Sequence, residues 1–443
     1  MPATLHVYTI SLGCPKNRVD TENMLGQLGH AYQPAADISE ADLVLINTCA
    51  FIRPAVEESV QTILDIGMNL EGGARRPVLA VAGCLPARYG QQELARELPE
   101  VDLWLSVQDQ AFFAHRLSAY FDIPEKAPGR LLTTPPGYAY LKISEGCEHR
   151  CAFCTIPSIR GQLRSVPMEA LQEEARRLRD LGVRELCLVA QDLTAYGRDW
   201  GSGSDGLCRL LDSLLNISDL DWIRLMYLYP TGVSRDLLQF ISRTGPPLLP
   251  YIDVPLQHAH PDILSHMGRP FAKDPRRIVD RIQSIIPRAC LRTSLIIGYP
   301  GETEAHFQSL VSFVQEMRFW HVGVFAFSAE EGTAAARLPG QVPDEVKEKR
   351  RQELMQVQAG ISREILADYV GQTMQVLVDQ PEPEWVALFQ GRVWFQAPEV
   401  DGLTYISSRW ARPGDMLRAE VVDSMTYDLS ALALENVSEP AQK

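Results

Sequence analysis

"YAYLKISEGCEHRCAFC", Tyr138 to Cys154, is the stretch on which the fold turns. Its opening residues, Tyr138–Ile143, read as a short β-rich strand. Four residues later comes Cys147, then Cys151 and Cys154, three thiols within eight residues. If the strand belongs to a parallel βα array, this loop lies at the C-terminal mouth of the array, where such folds place their chemistry. A short loop can wrap three thiolates around one iron–sulfur cube, and three ligands for four irons leave one iron open and reactive. A structural zinc site normally takes a fourth Cys or His. The close candidate, His149, lies between two of the cysteines.

Working outward, the βα rhythm continues. Further strands are expected at Arg184–Ala190, Trp222–Leu228, Tyr251–Leu256, Leu291–Ile297 and His321–Phe327, with helical stretches such as Met168–Leu181 and Asp274–Ile286 between them. Six βα units imply a TIM-like barrel or an incomplete one. On the N-terminal side, "LHVYTIS", "DLVLINT" and "PVLAVAG" alternate with the helical "VDTENMLGQLGHA" and "PAVEESVQTILDIG", which implies a second parallel α/β sheet. "DIPEKAPGRLLTTPPG" reads as a linker. On the C-terminal side a charged helix is expected from Asp344 to Val370, burying Val346, Leu354, Val357, Ile361 and Ile365 and stopping at Gly371. "TMQVLVD", "WVALFQGRVWFQ", "LTYISS" and "MLRAEVVD" then suggest a small antiparallel β-barrel of OB-like type.

Across the 443 residues the net charge is -14, which leans against a general grip on nucleic-acid phosphates. No basic-then-apolar leader and no apolar run of the ~20 residues needed to span a bilayer is present, so the expected location is cytoplasmic, with no membrane partner. In that compartment nine cysteines are core residues, nucleophiles or metal ligands rather than disulfides. Cys14, Cys49 and Cys84 follow the three N-terminal strands at equal separations of 35 residues. Each therefore occupies the same place in its βα unit, and all three lie along one sheet edge, where ligands bind. They can converge on a second cluster or serve as ordinary core cysteines. Cys187, Cys208 and Cys290, within apolar runs, read as core. His258, His260 and His266 have no further support as metal ligands.

The Cys-x-x-x-Cys-x-x-Cys spacing within "YLKISEGCEHRCAFCTIPSIRG" resembles the radical S-adenosylmethionine superfamily. "SLGCPKNRVDTEN", "NTCAFIRPAVEES" and "AGCLPARY" resemble the N-terminal domain of its methylthiotransferases. The resemblance implies a methylthiotransferase N-terminal domain over 4–121, a radical S-adenosylmethionine domain over 133–370 and a TRAM domain over 371–438. It implies two 4Fe-4S clusters: a radical-forming one on Cys147, Cys151 and Cys154, whose open iron binds S-adenosylmethionine, and an auxiliary, sulfur-handling one on Cys14, Cys49 and Cys84. Cleavage of the cofactor would yield a 5'-deoxyadenosyl radical. Phe153, Gln191 and Asp192 are candidate cofactor contacts, and Arg160 and Arg164 candidate partners of a substrate carboxylate.

Two subfamilies fit, one modifying an adenosine of transfer RNA (MiaB type) and one modifying an aspartate of small-subunit ribosomal protein S-twelve (RimO type). "GCPKN", "NTCAFI" and the tail word "APEVDG" resemble the RimO type. The tail from Gly371 carries five basic residues and eleven acids, an unsuitable balance for RNA and a suitable one for a basic ribosomal protein. Glu399 and Asp401 are the acids expected to meet it. The implied reaction is β-methylthiolation of that aspartate, with one S-adenosylmethionine as methyl donor and one as radical source. A flavodoxin-like electron donor and a sulfur donor are implied partners, and the substrate is the free or the assembled ribosomal protein. An iron–sulfur electron carrier with a binding tail is the alternative from another class; it would not turn over S-adenosylmethionine.

Overall fold

A computed structural model describes residues 4–70, 76–123, 129–201, 203 and 205–434. The centre of the expected linker and residues 435–438 of the expected tail domain lie outside them, as do Glu435, Glu439 and Lys443 of the tail's charge balance. The chain forms two compact units. One gathers Met1–Thr133, Ser144–Arg164 and Ser328–Arg337; the other gathers Thr134–Ile143, Ser165–Phe327 and Leu338–Lys443. The three-cysteine loop thus packs with the N-terminal sheet in a single unit.

The first unit is built on five parallel strands in the order Tyr32–Pro34, Leu5–Ser11, Leu43–Thr48, Val78–Gly83, Leu103–Ser106. The three expected strands are its centre. The two edges were not expected, being only three and four residues long. Leu43–Thr48 is buried throughout, with apolar clusters on both faces, as a parallel sheet requires. The first helix runs Pro15–Gly26 rather than over "VDTENMLGQLGHA". Pro15 suits the first helical turn. Periodicity misplaced the helix because its inward residues include Lys16, Asn17, Asp20, Thr21 and Glu22, a buried polar face that no apolar stripe announces.

The second unit holds six parallel strands in chain order, Tyr138–Lys142, Glu185–Val189, Trp222–Leu225, Leu248–Asp253, Cys290–Ile297 and His321–Ala326, forming an open sheet. The helix Asp344–Ala367 ends before Val370. Leu354 and Ile361 are buried as expected, but Val346 is exposed and Val357 and Ile365 are only half-buried. Polar residues take their places: Arg350 pairs with buried Glu302 at 2.8 Å, and Gln358 donates to the Phe319 and Trp320 carbonyls. The tail is a closed five-stranded barrel. A fifth strand, Leu429–Ala433, closes it by pairing parallel to Thr404–Ser407. Of "WVALFQGRVWFQ", only Leu388–Arg392 is strand; Trp385 and Val386 are exposed in the preceding turn.

Candidate functional site

Cys14 precedes the helix Pro15–Gly26, Cys49 follows the strand Leu43–Thr48, and Cys84 opens the helix Cys84–Tyr89. The parallel sheet therefore delivers all three at its C-terminal edge. Two glycines allow them to crowd there. Gly13 has φ +90°, and a Cβ on it would stand 2.6 Å from the Cys49 Cβ and 2.9 Å from its sulfur. Gly83 has φ +104°, and a Cβ there would meet the Asn47 Oδ1 at 2.3 Å. Buried amides join the strand ends: Asn17 donates to the Leu12 and Thr48 carbonyls, each at 2.9 Å, and Asn47 donates to the Asn17 carbonyl. Burial pushes the Cys49 thiol up to about 12, a backbone N–H at Phe51 pulls against it, and Cys84 and Cys14 push it further. Burial also raises the Cys84 thiol, opposed by Arg160. Burial keeps such a thiol protonated until a cation takes the thiolate.

In the second loop, Gly146 has φ +79° and lies so close to Gln162 that a Cβ would fall 2.1 Å from its carbonyl oxygen. The loop is pinned by Cys147 N–H to the Gly161 carbonyl, Ala335 N–H to the Ala152 carbonyl, and the Thr155 hydroxyl to the Phe51 carbonyl. Cys147, Cys151 and Cys154 line one cavity of about 320 Å³ with Glu148, His149, Arg150, Pro157 and Gln162. Among the described residues, His260, Asp262 and His306 are the one set of three such ligands whose donor atoms all lie within 4.8 Å of one another. Each cysteine trio offers three sulfur donors, the number that leaves one iron of a four-iron cube open. In the histidine set, His260 and His306 use their Nδ1 atoms to accept backbone N–H groups at helix starts, a capping role. His258 is fully buried against Glu302.

Arg160 is not available to a substrate carboxylate. It is buried in the first unit, ion-paired with Asp20 at 3.2 Å and Glu145 at 2.8 Å, hydrogen-bonded to the Asn17 Oδ1, and 3.5 Å from the Cys84 sulfur. The expectation of carboxylate pairing holds, but the carboxylates are the chain's own. Arg164 is exposed, and Phe153 and Gln191 are half-buried. Asp192 is buried, and its carboxylate accepts from the Thr194 N–H, the Thr194 hydroxyl and the Tyr229 N–H, so it builds the loop after its strand. Asp401 is likewise not a surface contact. Its side chain is 1% exposed and is held by the Tyr251 hydroxyl at 2.6 Å, Arg292 at 3.3 Å and His321 at 3.4 Å. Glu399 accepts from the Tyr138 and Tyr140 hydroxyls. Both acids join the small barrel to strands of the open sheet within the second unit. Cys187 and Cys290 are buried as expected, while Cys208 is half-buried. The sequence offered no signal for Tyr227 and Gln257, non-glycine residues at φ +65° and +72° just beyond two strand C-termini. Such strained backbone gathers at functional sites.

Residues 6–106 match the uncharacterized protein family UPF0004, 141–314 the radical SAM superfamily, and 370–434 the TRAM domain. The chain is 59% identical over 433 residues to the ribosomal protein uS12 methylthiotransferase RimO of Nitratidesulfovibrio vulgaris, covering 97% of this chain and 100% of that protein. It is 56% identical to the protein of that name from Oleidesulfovibrio alaskensis (97% and 100% covered) and 45% identical to that from Trichlorobacter lovleyi (97% and 98%). Among solved structures, the radical S-adenosylmethionine methyltransferase TsrM from Kitasatospora setae aligns over 73% of this chain and 75% of its own with a TM-score of 0.51 and 13% identity, a likeness of fold.

Proposed function

Because the chain belongs to the RimO-type ribosomal protein methylthiotransferases, we propose that it inserts sulfur and a methyl group at the β-carbon of an aspartate in small-subunit ribosomal protein S12, consuming two S-adenosylmethionine per turnover. The supporting observation is the pair of all-cysteine trios, one in a tight loop and one on a sheet edge. Cys147, Cys151 and Cys154 would hold one 4Fe-4S cluster, and Cys14, Cys49 and Cys84 the other. When bound, the first supplies the electron that generates a radical from S-adenosylmethionine and the second handles sulfur. The chain's own part is to hold and orient the donors. Gly146 and Gly161 keep the loop backbone folded against itself around the thiols of the first set. The amides of Asn17 and Asn47 fix the strand ends that present the second. Phe153 and Gln191 remain the candidate cofactor contacts. An electron donor of flavodoxin type and a sulfur donor complete the reaction.

The partner's basicity is matched by the tail. With Asp379, Asp401 and Arg392 inside, seven acids and three arginines of the described tail remain unburied. A basic protein would be steered to that surface and an RNA repelled from it. The test is anaerobic reconstitution with S-adenosylmethionine, reductant and S12. The parent chain should form 5'-deoxyadenosine and methylthiolated S12. Cys147→Ala should form neither, and Cys14→Ala should retain cofactor cleavage without methylthiolation. Normal methylthiolation by Cys14→Ala would sink the assignment of that trio.

A further inference from the structure

Arg160 belongs to one cysteine set by sequence and to the other by contact. It ends the short helix Ile156–Arg160, six residues beyond Cys154. Its guanidinium reaches the Cys84 sulfur at 3.5 Å and the Asn17 side chain that staples the sheet edge. Its carboxylate partners are Asp20, on the buried polar face of the first helix, and Glu145, two residues before Cys147. We propose that Arg160 is a positioning residue that sets the reduction potential of the cluster carried by Cys14, Cys49 and Cys84, by donating to the Cys84 sulfur and placing a buried positive charge beside it. The proposal rests on the reading that this trio holds a cluster.

The physical reason is one of sign. One-electron reduction adds negative charge to a cluster. A cation or an N–H donor at a ligand sulfur favours the reduced state and raises the potential; an anion lowers it. Burial amplifies both effects, because little solvent screens them. Arg160 stands against the Cys84 sulfur as a buried cation, and Asp20 is the anion paired with it at 3.2 Å, so the two bring opposite charge to the same place. Arg160 and Asp20 should therefore move the potential in opposite directions too. A merely structural arginine predicts no such antisymmetry.

The experiment uses the full chain carrying Cys147→Ala, Cys151→Ala and Cys154→Ala, reconstituted anaerobically with iron and sulfide so that the other trio alone is loaded. Failure of this background to take up about four irons would refute the cluster reading itself, independently of Arg160. With the cluster present, its midpoint potential is measured by titration with dithionite, followed by absorbance and electron paramagnetic resonance. Arg160→Gln should shift the potential downward, Arg160→Lys should shift it less, and Asp20→Asn, which keeps the arginine, should shift it upward. Arg160→Gln takes the guanidinium from buried Asp20 and half-buried Glu145, so it can fail to fold; Asp20→Asn and the double variant Arg160→Gln/Asp20→Asn then carry the test. The double variant should lie between its parents. Full iron loading with potentials unchanged, or displaced in the same direction by Asp20→Asn and Arg160→Gln, would overturn the proposal.

Discussion

Replacing Asp401 with Ala should destabilise the second unit without touching the chemistry. The carboxylate accepts from the Tyr251 hydroxyl and the Ala397 N–H and faces Arg292 and His321. Its loss orphans two buried donors and leaves Arg292 with Asp253 alone, at 3.3 Å. Breaking a buried, hydrogen-bonded ion pair from one side costs about 3–5 kcal/mol. Asp401→Asn, which keeps hydrogen-bonding capacity but not the charge, should cost about 1–3 kcal/mol. Equilibrium urea unfolding followed by tryptophan fluorescence reads the difference, since Trp320 and Trp394 sit in the same unit beside Phe395. The pH dependence gives a second check. Burial alone would raise the Asp401 carboxyl, but His321 and Arg292 outweigh it and hold it below its usual range. A group with a depressed folded-state value stabilises fully above its unfolded value, about 3.9, and loses that contribution as pH falls further. The parent should therefore weaken below about pH 4 more steeply than Asp401→Ala. If the Ala variant unfolds within about 0.5 kcal/mol of the parent yet fails to modify S12, Asp401 is a substrate contact after all and the structural assignment is wrong.

Gly13→Ala should lower iron from about eight to about four per chain, because its Cβ would strike the Cys49 side chain at a strained φ, while 5'-deoxyadenosine formation persists. Cys187→Ala with Cys290→Ala should leave iron unchanged and cost about 1 kcal/mol each in unfolding free energy. Arg392→Met should destabilise by about 3–5 kcal/mol in the same urea assay, since it strips Asp379 of its bidentate partner and Glu185 of one of two guanidinium groups. Association of the full chain with S12 should slow as salt rises from low ionic strength, and a gel-shift titration in which transfer RNA binds more tightly than S12 would contradict the acidic-surface argument.

What the amino-acid order determined by itself was whatever chain connectivity enforces over short range or by repetition. Three cysteines within eight residues cannot be far apart in any fold. Cysteines 35 residues apart in successive βα units must share a sheet edge once the strands are parallel, and the apolar runs of those strands were plain. Tertiary structure decided where the charged side chains went. Arg160 looked like a free cation next to a cysteine loop, but its partners Asp20, Asn17 and Cys84 lie 140, 143 and 76 residues away. Asp401 looked like a surface acid in an acidic tail; Tyr251, 150 residues away, takes it inside. A charge can be buried only where opposite charge and hydrogen-bond donors converge from several elements at once. That convergence leaves no period or local motif in the chain. The buried polar face of Pro15–Gly26 escaped notice for the same reason: hydropathy marks what water expels, and this face is inside because other polar groups are there to meet it.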